Sequence, residues 1–257
     1  MSVLKVVLLG VIQGLTEFIP VSSSGHLVLA SRLLNIKELP MYLNLLMHTG
    51  TLLAVCFYLR RDIYKIIKER NARIILLLTA ATTPAVIAGV ALKKFFEQFF
   101  SEPSMVLVFL AGTGAILIIG ELAGKKTKGL DALNIKNALF IGVMQAVAIL
   151  PGISRSGSTM SAGMMSGMKR EEAAKFSFLL SIPIILGTTI FEMKDAPFGN
   201  GIREVVMIGG AGLVASAVSG VFAITFLMRI IRTRNFYPFA VYCIALSAIG
   251  LLGLSLR

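Results

Sequence analysis

The sequence predicts an all-α integral membrane protein: six transmembrane helices plus two re-entrant helical hairpins, arranged as an inverted-topology repeat in one polytopic domain spanning residues 1–257. Three observations predict it. The chain is 56% hydrophobic and 15% charged with a mean hydropathy of +0.85, beyond the apolar fraction of a soluble domain. Two of its apolar stretches are broken by Pro and Ser/Gly clusters. Those two stretches also resemble each other at a constant spacing.

The first broken stretch runs over 6–34 and is interrupted at Pro20 to Gly25; the second runs over 138–168 and is interrupted at Pro151 to Gly157. Proline removes a backbone donor and glycine weakens a helix, so each reads as helix, break, helix. Irregular backbone is tolerated at membrane depth only where protein or a cavity satisfies it, which makes each a re-entrant hairpin. Segments at 41–59, 74–92 and 104–124 follow the first hairpin, and 176–191, 205–228 and 236–256 follow the second. Each approaches the ~20 apolar residues that a bilayer core requires. Thr82, Thr83 and Pro84 are expected to kink the second span.

An offset of 132 carries GVIQ (10–13) onto GVMQ (142–145), Ser22 onto Ser154, Ser24 onto Ser156, and Gly25 onto Gly157. It carries 105–124 onto 237–256 and residue 125 onto Arg257. The halves are therefore about 1–125 and 133–257. Three spans per half is an odd number, so the second half enters the membrane inverted. Loop charge agrees: Lys and Arg number six at 60–73, four at 125–137, three at 169–175 and three at 229–235. The alternate loops and ends hold only Lys5, Arg32, Lys37, Lys93, Lys94, Lys194, Arg203 and Arg257. The richer set is expected in the cytoplasm and both termini outside, with one hairpin dipping from each face.

The formal net charge of +12 sits between apolar spans, where it sets topology and meets anionic headgroups, so nucleic acid is excluded as a partner. Cys56 and Cys243 fall inside apolar segments without a metal or disulfide spacing. MSVLK is followed by no small-residue cleavage site and is expected to belong to the mature protein. A homodimer is compatible with this pattern.

The first tip, EFIPVSSSGH, carries Glu17, Ser22, Ser23, Ser24 and His26; the second, PGISRSGST, carries Ser154, Arg155, Ser156, Gly157, Ser158 and Thr159. An ionisable residue at membrane depth normally faces a cavity and a partner. Gly-rich backbone entering a helix presents N–H groups to an anion, and Arg155 adds a planar fork that matches phosphate oxygens. Hydrolysis of a phosphoanhydride further needs a nucleophile, a proton carrier and charge neutralisation. Ser23 or a water could attack, His26 could move the proton, and Glu17 could position a divalent cation or act as base. Simpler readings stay open: small residues for close helix packing, Glu17 and Arg155 as a structural pair, and Thr159 as a cap. His26 and, in a span, His48 can be read as packing histidines, and Glu121 and Glu192 as interfacial groups.

QGLTEF with its continuation PVSSSGH, and PGISRSGST about 130 residues later, resemble the two signatures of the bacitracin-resistance type undecaprenyl-diphosphate phosphatases. The resemblance covers the whole chain. It implies a multi-pass enzyme of the cell membrane that hydrolyses undecaprenyl diphosphate to undecaprenyl phosphate and inorganic phosphate, recycling the lipid carrier of cell-wall synthesis. It also implies a divalent cation, magnesium or calcium, and a site facing outward. Carried over, the functional positions are Glu17, Ser23, His26, Ser154, Arg155 and Thr159. Gln13 departs from the glutamate of many members: its carbonyl can join Glu17 as a metal ligand but supplies no charge. A secondary transporter or flippase for an anionic or lipid-phosphate substrate is the alternative, because broken helices in inverted repeats are also a transporter design.

Overall fold

A computed structural model describes residues 1–92, 95, 99, 102–123, 126–193 and 205–255. Residue 125 and Arg257, the last pair of the expected repeat, lie outside the described residues, as do Lys93, Lys94, Lys194 and Arg203. The described chain is helical: α1 (Val3–Phe18), α2 (Ser23–Leu33), α3 (Met41–Tyr58), α4 (Arg60–Lys68), α5 (Ala72–Ala91) and α6 (Pro103–Leu122) come first. After them come α7 (Ile135–Val147), α8 (Arg155–Met165), α9 (Arg170–Met193), α10 (Gly210–Ile230) and α11 (Tyr237–Ser255). Among the described residues there is no β-strand, only an isolated bridge between Lys128 and Met168.

Among the described residues six helices are long and apolar enough to cross a membrane: α3, α5, α6, α9, α10 with the π-helical turn before it, and α11. These are the six expected spans. The fourth starts earlier than expected, at Arg170 rather than 176, because its charged first turn is still helical. Arg170, Glu171 and Glu172 there bond to neighbouring loops and helices instead of ending the helix.

Both broken stretches are helix, break, helix. α2 and α8 have 11 residues each, about 16 Å at 1.5 Å per residue. A bilayer core is about 30 Å thick, so neither crosses it alone. Their caps match: Gly25 N–H donates to Ser22 Oγ (3.3 Å) and Gly157 N–H to Ser154 Oγ (3.0 Å). Ser22 and Ser24 hydroxyls pair at 3.2 Å, as Ser154 and Ser156 do at 3.1 Å.

Glycines let the helices approach, as is usual where lipid removes the hydrophobic drive for association. Gly10 abuts Gly212, Gly14 abuts Ser216 and Ser219, and Gly50 abuts Ser216, so α1 and α3 both pack on α10. Gly142 gives α7 the same access to α5 at Pro84, and Gly114 gives α6 access to α11. The loops rich in Lys and Arg contact one another. Arg73 donates to the Asp131 and Leu133 carbonyls, Asp62 pairs with Lys175, and Lys128 donates to Ser166 O.

Glu121, in the last turn of α6, is buried within the protein at 8% exposure. Arg170 grips it with two donors at 2.7 and 2.6 Å, and Phe236 N–H donates to it at 2.9 Å. One carboxylate thus ties α6, α9 and the start of α11 together.

Candidate active site

The two breaks meet. Gly152 N–H donates to Ser24 Oγ, and Ser156 Oγ donates to Ile19 O, both at 3.3 Å. Gly152 has φ +103°, and a Cβ there would run into the Val106 carbonyl, so only glycine fits the second turn. Thr113 on α6 clamps this turn from both sides, donating to Gly152 O and accepting from Ser154 N–H at 2.8 Å each. Ser22 makes the first turn at φ +69°, an uncommon conformation for a residue with a Cβ.

Glu17, in the last turn of α1, is 8% exposed and lies where the breaks converge. Its Oε1 accepts from Arg155 Nη2 at 2.5 Å. Its Oε2 accepts from Ser23 Oγ at 2.7 Å and from Gln13 Nε2 at 2.9 Å. A carboxylate has about four lone-pair sites, so these three bonds do not exhaust it. Burying the charge would cost several kcal/mol per ion without such partners. The Arg155 fork is only partly spent, because Nη1 is buried without a hydrogen-bond partner among the described residues. Gln13 is fully buried, and its Oε1 also lacks a partner.

Glu17, Gln13, Ser23 and Arg155 are therefore brought together. The other expected site residues make contacts of their own. Ser154 caps α8, and Ser156 bridges the two breaks. Thr159 donates to the Arg155 carbonyl and shares a 2.7 Å bond with Ser177 on α9. Ser154, Ser156 and Thr159 are each 1% exposed, and Gly157 packs against Ser154 and Pro20. Ser154, Ser156 and Thr159 thus spend their hydroxyls on backbone and neighbouring hydroxyls, while Ser158 Oγ and Arg155 Nη1 are buried without a hydrogen-bond partner among the described residues.

His26 was expected as the proton partner of Ser23, and the geometry gives Ser23 a different one. His26 Nδ1 bonds Ser22 O and Nε2 bonds the Tyr242 hydroxyl, each at 2.8 Å, with the two rings stacked. A carbonyl only accepts, so Nδ1 carries the proton and Nε2 accepts from Tyr242. Sequence reasoning did not single out Thr113 or Tyr242, and it read His48 only as a packing histidine. His48 on α3 holds Nε2 3.9 Å from Glu17 Oε2. The signal for His48 was present, as an ionisable group inside an apolar span; nothing local distinguished Thr113 or Tyr242 from other membrane Thr and Tyr.

Comparison with known proteins agrees over nearly the full length. The family model described as bacitracin resistance protein BacA matches residues 6–249. The undecaprenyl-diphosphatase of Moorella thermoacetica is 37% identical over 256 residues, covering 97% of each chain. Those of Carboxydothermus hydrogenoformans and Halothermothrix orenii are each 40% identical over 246 residues, covering 94% and 95% of both chains respectively. The six apolar helices and this match identify a multi-pass membrane protein, and the chain belongs to the BacA bacitracin resistance family.

Proposed function

We propose that this protein hydrolyses undecaprenyl diphosphate to undecaprenyl phosphate and inorganic phosphate, recycling the lipid carrier of cell-wall synthesis. The observation that carries the reading is the Glu17 carboxylate, which holds Ser23 on one oxygen and Arg155 on the other. A hydroxyl oriented by a carboxylate beside a guanidinium with a free donor is an arrangement for attack on phosphorus.

In this reading Arg155 binds the terminal phosphate through Nη1 and neutralises charge as it develops. Ser23 Oγ attacks the terminal phosphorus, and its proton passes to Glu17 Oε2, already in hydrogen-bond contact. The bond from that phosphorus to the bridging oxygen breaks, and undecaprenyl phosphate leaves. Water then cleaves the phosphoserine, releasing inorganic phosphate and restoring Ser23. The alternative is direct attack by water. His26, held against Tyr242, is assigned to the wall of the site one turn along α2.

A divalent cation fits the residues present. Glu17 retains acceptor capacity, and the orphaned Gln13 Oε1 is an unspent oxygen ligand. Among the described residues no three His, Cys, Asp or Glu side chains cluster for a metal, so water and substrate oxygens would complete the shell, as is usual for magnesium. Such an ion would neutralise the diphosphate and polarise its oxygens.

The same reading includes the inverted repeat of re-entrant hairpins and an outward-facing site. The starts of α1 and α7, and of α2 and α8, each differ by 132 positions, and the matched serine caps support the duplication. The mutual contacts of the Lys/Arg-rich loops support their placement on one side, the cytoplasm.

The test is phosphate release from purified undecaprenyl diphosphate in detergent, comparing wild type with Arg155→Ala and Glu17→Gln. Release by wild type and its loss in both variants is expected. Full activity in both would overturn the assignment. Binding without turnover would favour the carrier alternative, which family membership disfavours.

A further inference from the structure

His48 is the second ionisable group facing the Glu17 carboxylate, and neither motif contains it. α3 presents it from a different part of the fold, four residues beyond Asn44. His48 Nδ1 lies 2.9 Å from the Asn44 carbonyl oxygen. That oxygen only accepts, so Nδ1 carries the ring proton and a neutral ring has its lone pair on Nε2. Nε2 is the atom 3.9 Å from Glu17 Oε2.

This is the arrangement of a metal-ligating histidine, whose second ring nitrogen donates to a backbone carbonyl and thereby fixes tautomer and orientation. Two ligand atoms each about 2.1 Å from one ion lie at most about 4.2 Å apart, so the observed separation admits a shared ion. The fully buried Gln13, whose Oε1 has no hydrogen-bond partner, adjoins Glu17 through its own amide nitrogen. Amide oxygen and nitrogen exchange places by a half-turn of the terminal torsion, which would bring the carbonyl to the carboxylate.

We infer that His48 is a nitrogen ligand of the divalent cation at this site, with Glu17 and the Gln13 carbonyl as oxygen ligands. The inference rests on the reading that a cation serves the diphosphate here. It has a consequence for metal choice. The site has one carboxylate, one neutral amide and one imidazole, whereas magnesium and calcium prefer sets made of oxygen alone. Imidazole suits first-row transition ions, and Mn2+, although it stands lowest in that series, is expected to bind here at least tenfold tighter than Mg2+ or Ca2+.

The experiment titrates Mn2+ into chelator-stripped, detergent-purified full-length protein and records pulsed electron paramagnetic resonance for nitrogen-14 coupling to the bound ion. The chain has only two histidines, which makes the signal assignable. Coupling is expected in wild type and in His26→Ala. It is expected to vanish in both His48→Ala and His48→Gln, with Mn2+ affinity down at least tenfold and the preference over Mg2+ lost. Glutamine at 48 preserves size and polarity, so its result stands if the alanine variant misfolds.

Coupling that survives in His48→Gln, or vanishes in His26→Ala, overturns the inference, and so does Mn2+ binding to wild type without coupling. Phosphate release is measured on the same wild-type sample. Release without nitrogen coupling defeats the His48 ligand and leaves the hydrolase reading standing. Coupling without release under any divalent ion defeats the hydrolase reading and leaves the metal site standing.

Discussion

Ser23 and Arg155 each stand first in a helix, 132 positions apart, and donate to opposite oxygens of the Glu17 carboxylate. The two breaks in the chain thus present equivalent positions to one buried charge, with different chemistry at each: a hydroxyl at one and a guanidinium at the other. The positions matching Glu17 and His26 in the second half are Ile149 and Ser158, so only one of the two possible sites carries a carboxylate.

Arg155→Ala is expected to lower kcat/KM by about 10²- to 10³-fold, the usual cost of one preorganised donor to a developing negative charge. It also leaves Glu17 buried without its cation partner. Breaking such a pair costs about 3–5 kcal/mol, whereas replacing both members can be nearly neutral. Thermal unfolding in detergent should therefore show Arg155→Ala less stable than the double variant Glu17→Gln with Arg155→Met. Equal stability of the two would count against a buried ion pair.

Ser23→Ala is expected to abolish the covalent route. With terminally labelled diphosphate and rapid quenching, label should appear on wild-type protein and be absent from Ser23→Ala. Wild-type protein that stays unlabelled while it turns over would assign the attack to water. Full activity in Ser23→Ala would remove Ser23 from the chemistry altogether.

Gly152→Ala should lower stability by at least about 1–3 kcal/mol, because its left-handed backbone is strained for any other residue and the new Cβ meets the Val106 carbonyl. Ser154→Ala loses only the cap, a change of about 1 kcal/mol. Melting temperatures of the two, taken with activity, would rank them. A Gly152→Ala protein as stable as wild type would contradict the turn geometry.

The sidedness of the loops is open to direct labelling. Lys37→Cys, in a loop poor in positive charge, should react with an impermeant maleimide on intact cells. Lys65→Cys on α4 should react only after permeabilisation. The native Cys56 and Cys243 lie within apolar helices. The reverse pattern would turn the proposed orientation over.

Spans, breaks and the charged tip residues were legible in the chain itself. Hydropathy, proline and the Ser-X-X-Gly caps at Ser22 and Ser154 are local properties, and they write helix starts and stops directly into the sequence. Glu17, Ser23 and Arg155 were readable as site residues from the tips themselves, the resemblance of the two motifs agreed, and the fold gathers them around one carboxylate. Partner choice was not legible. Whether Ser23 turns to His26 or to Glu17 depends on how α1 and α2 are rotated about the break at Pro20, a property of packing and not of spacing.

The same division separates the remaining residues. Sequence alone determined that this is a helical membrane protein with two polar breaks, because transfer of apolar side chains into lipid and the donor lost at proline act on each segment by itself. Only the tertiary structure decided that α3 carries His48 to within 3.9 Å of Glu17, that Thr113 clamps the second break, that Ser156 bridges to Ile19 and that Thr159 meets Ser177. Those outcomes follow from which helix faces meet and where glycines permit close approach, and they exist only once the helices have packed.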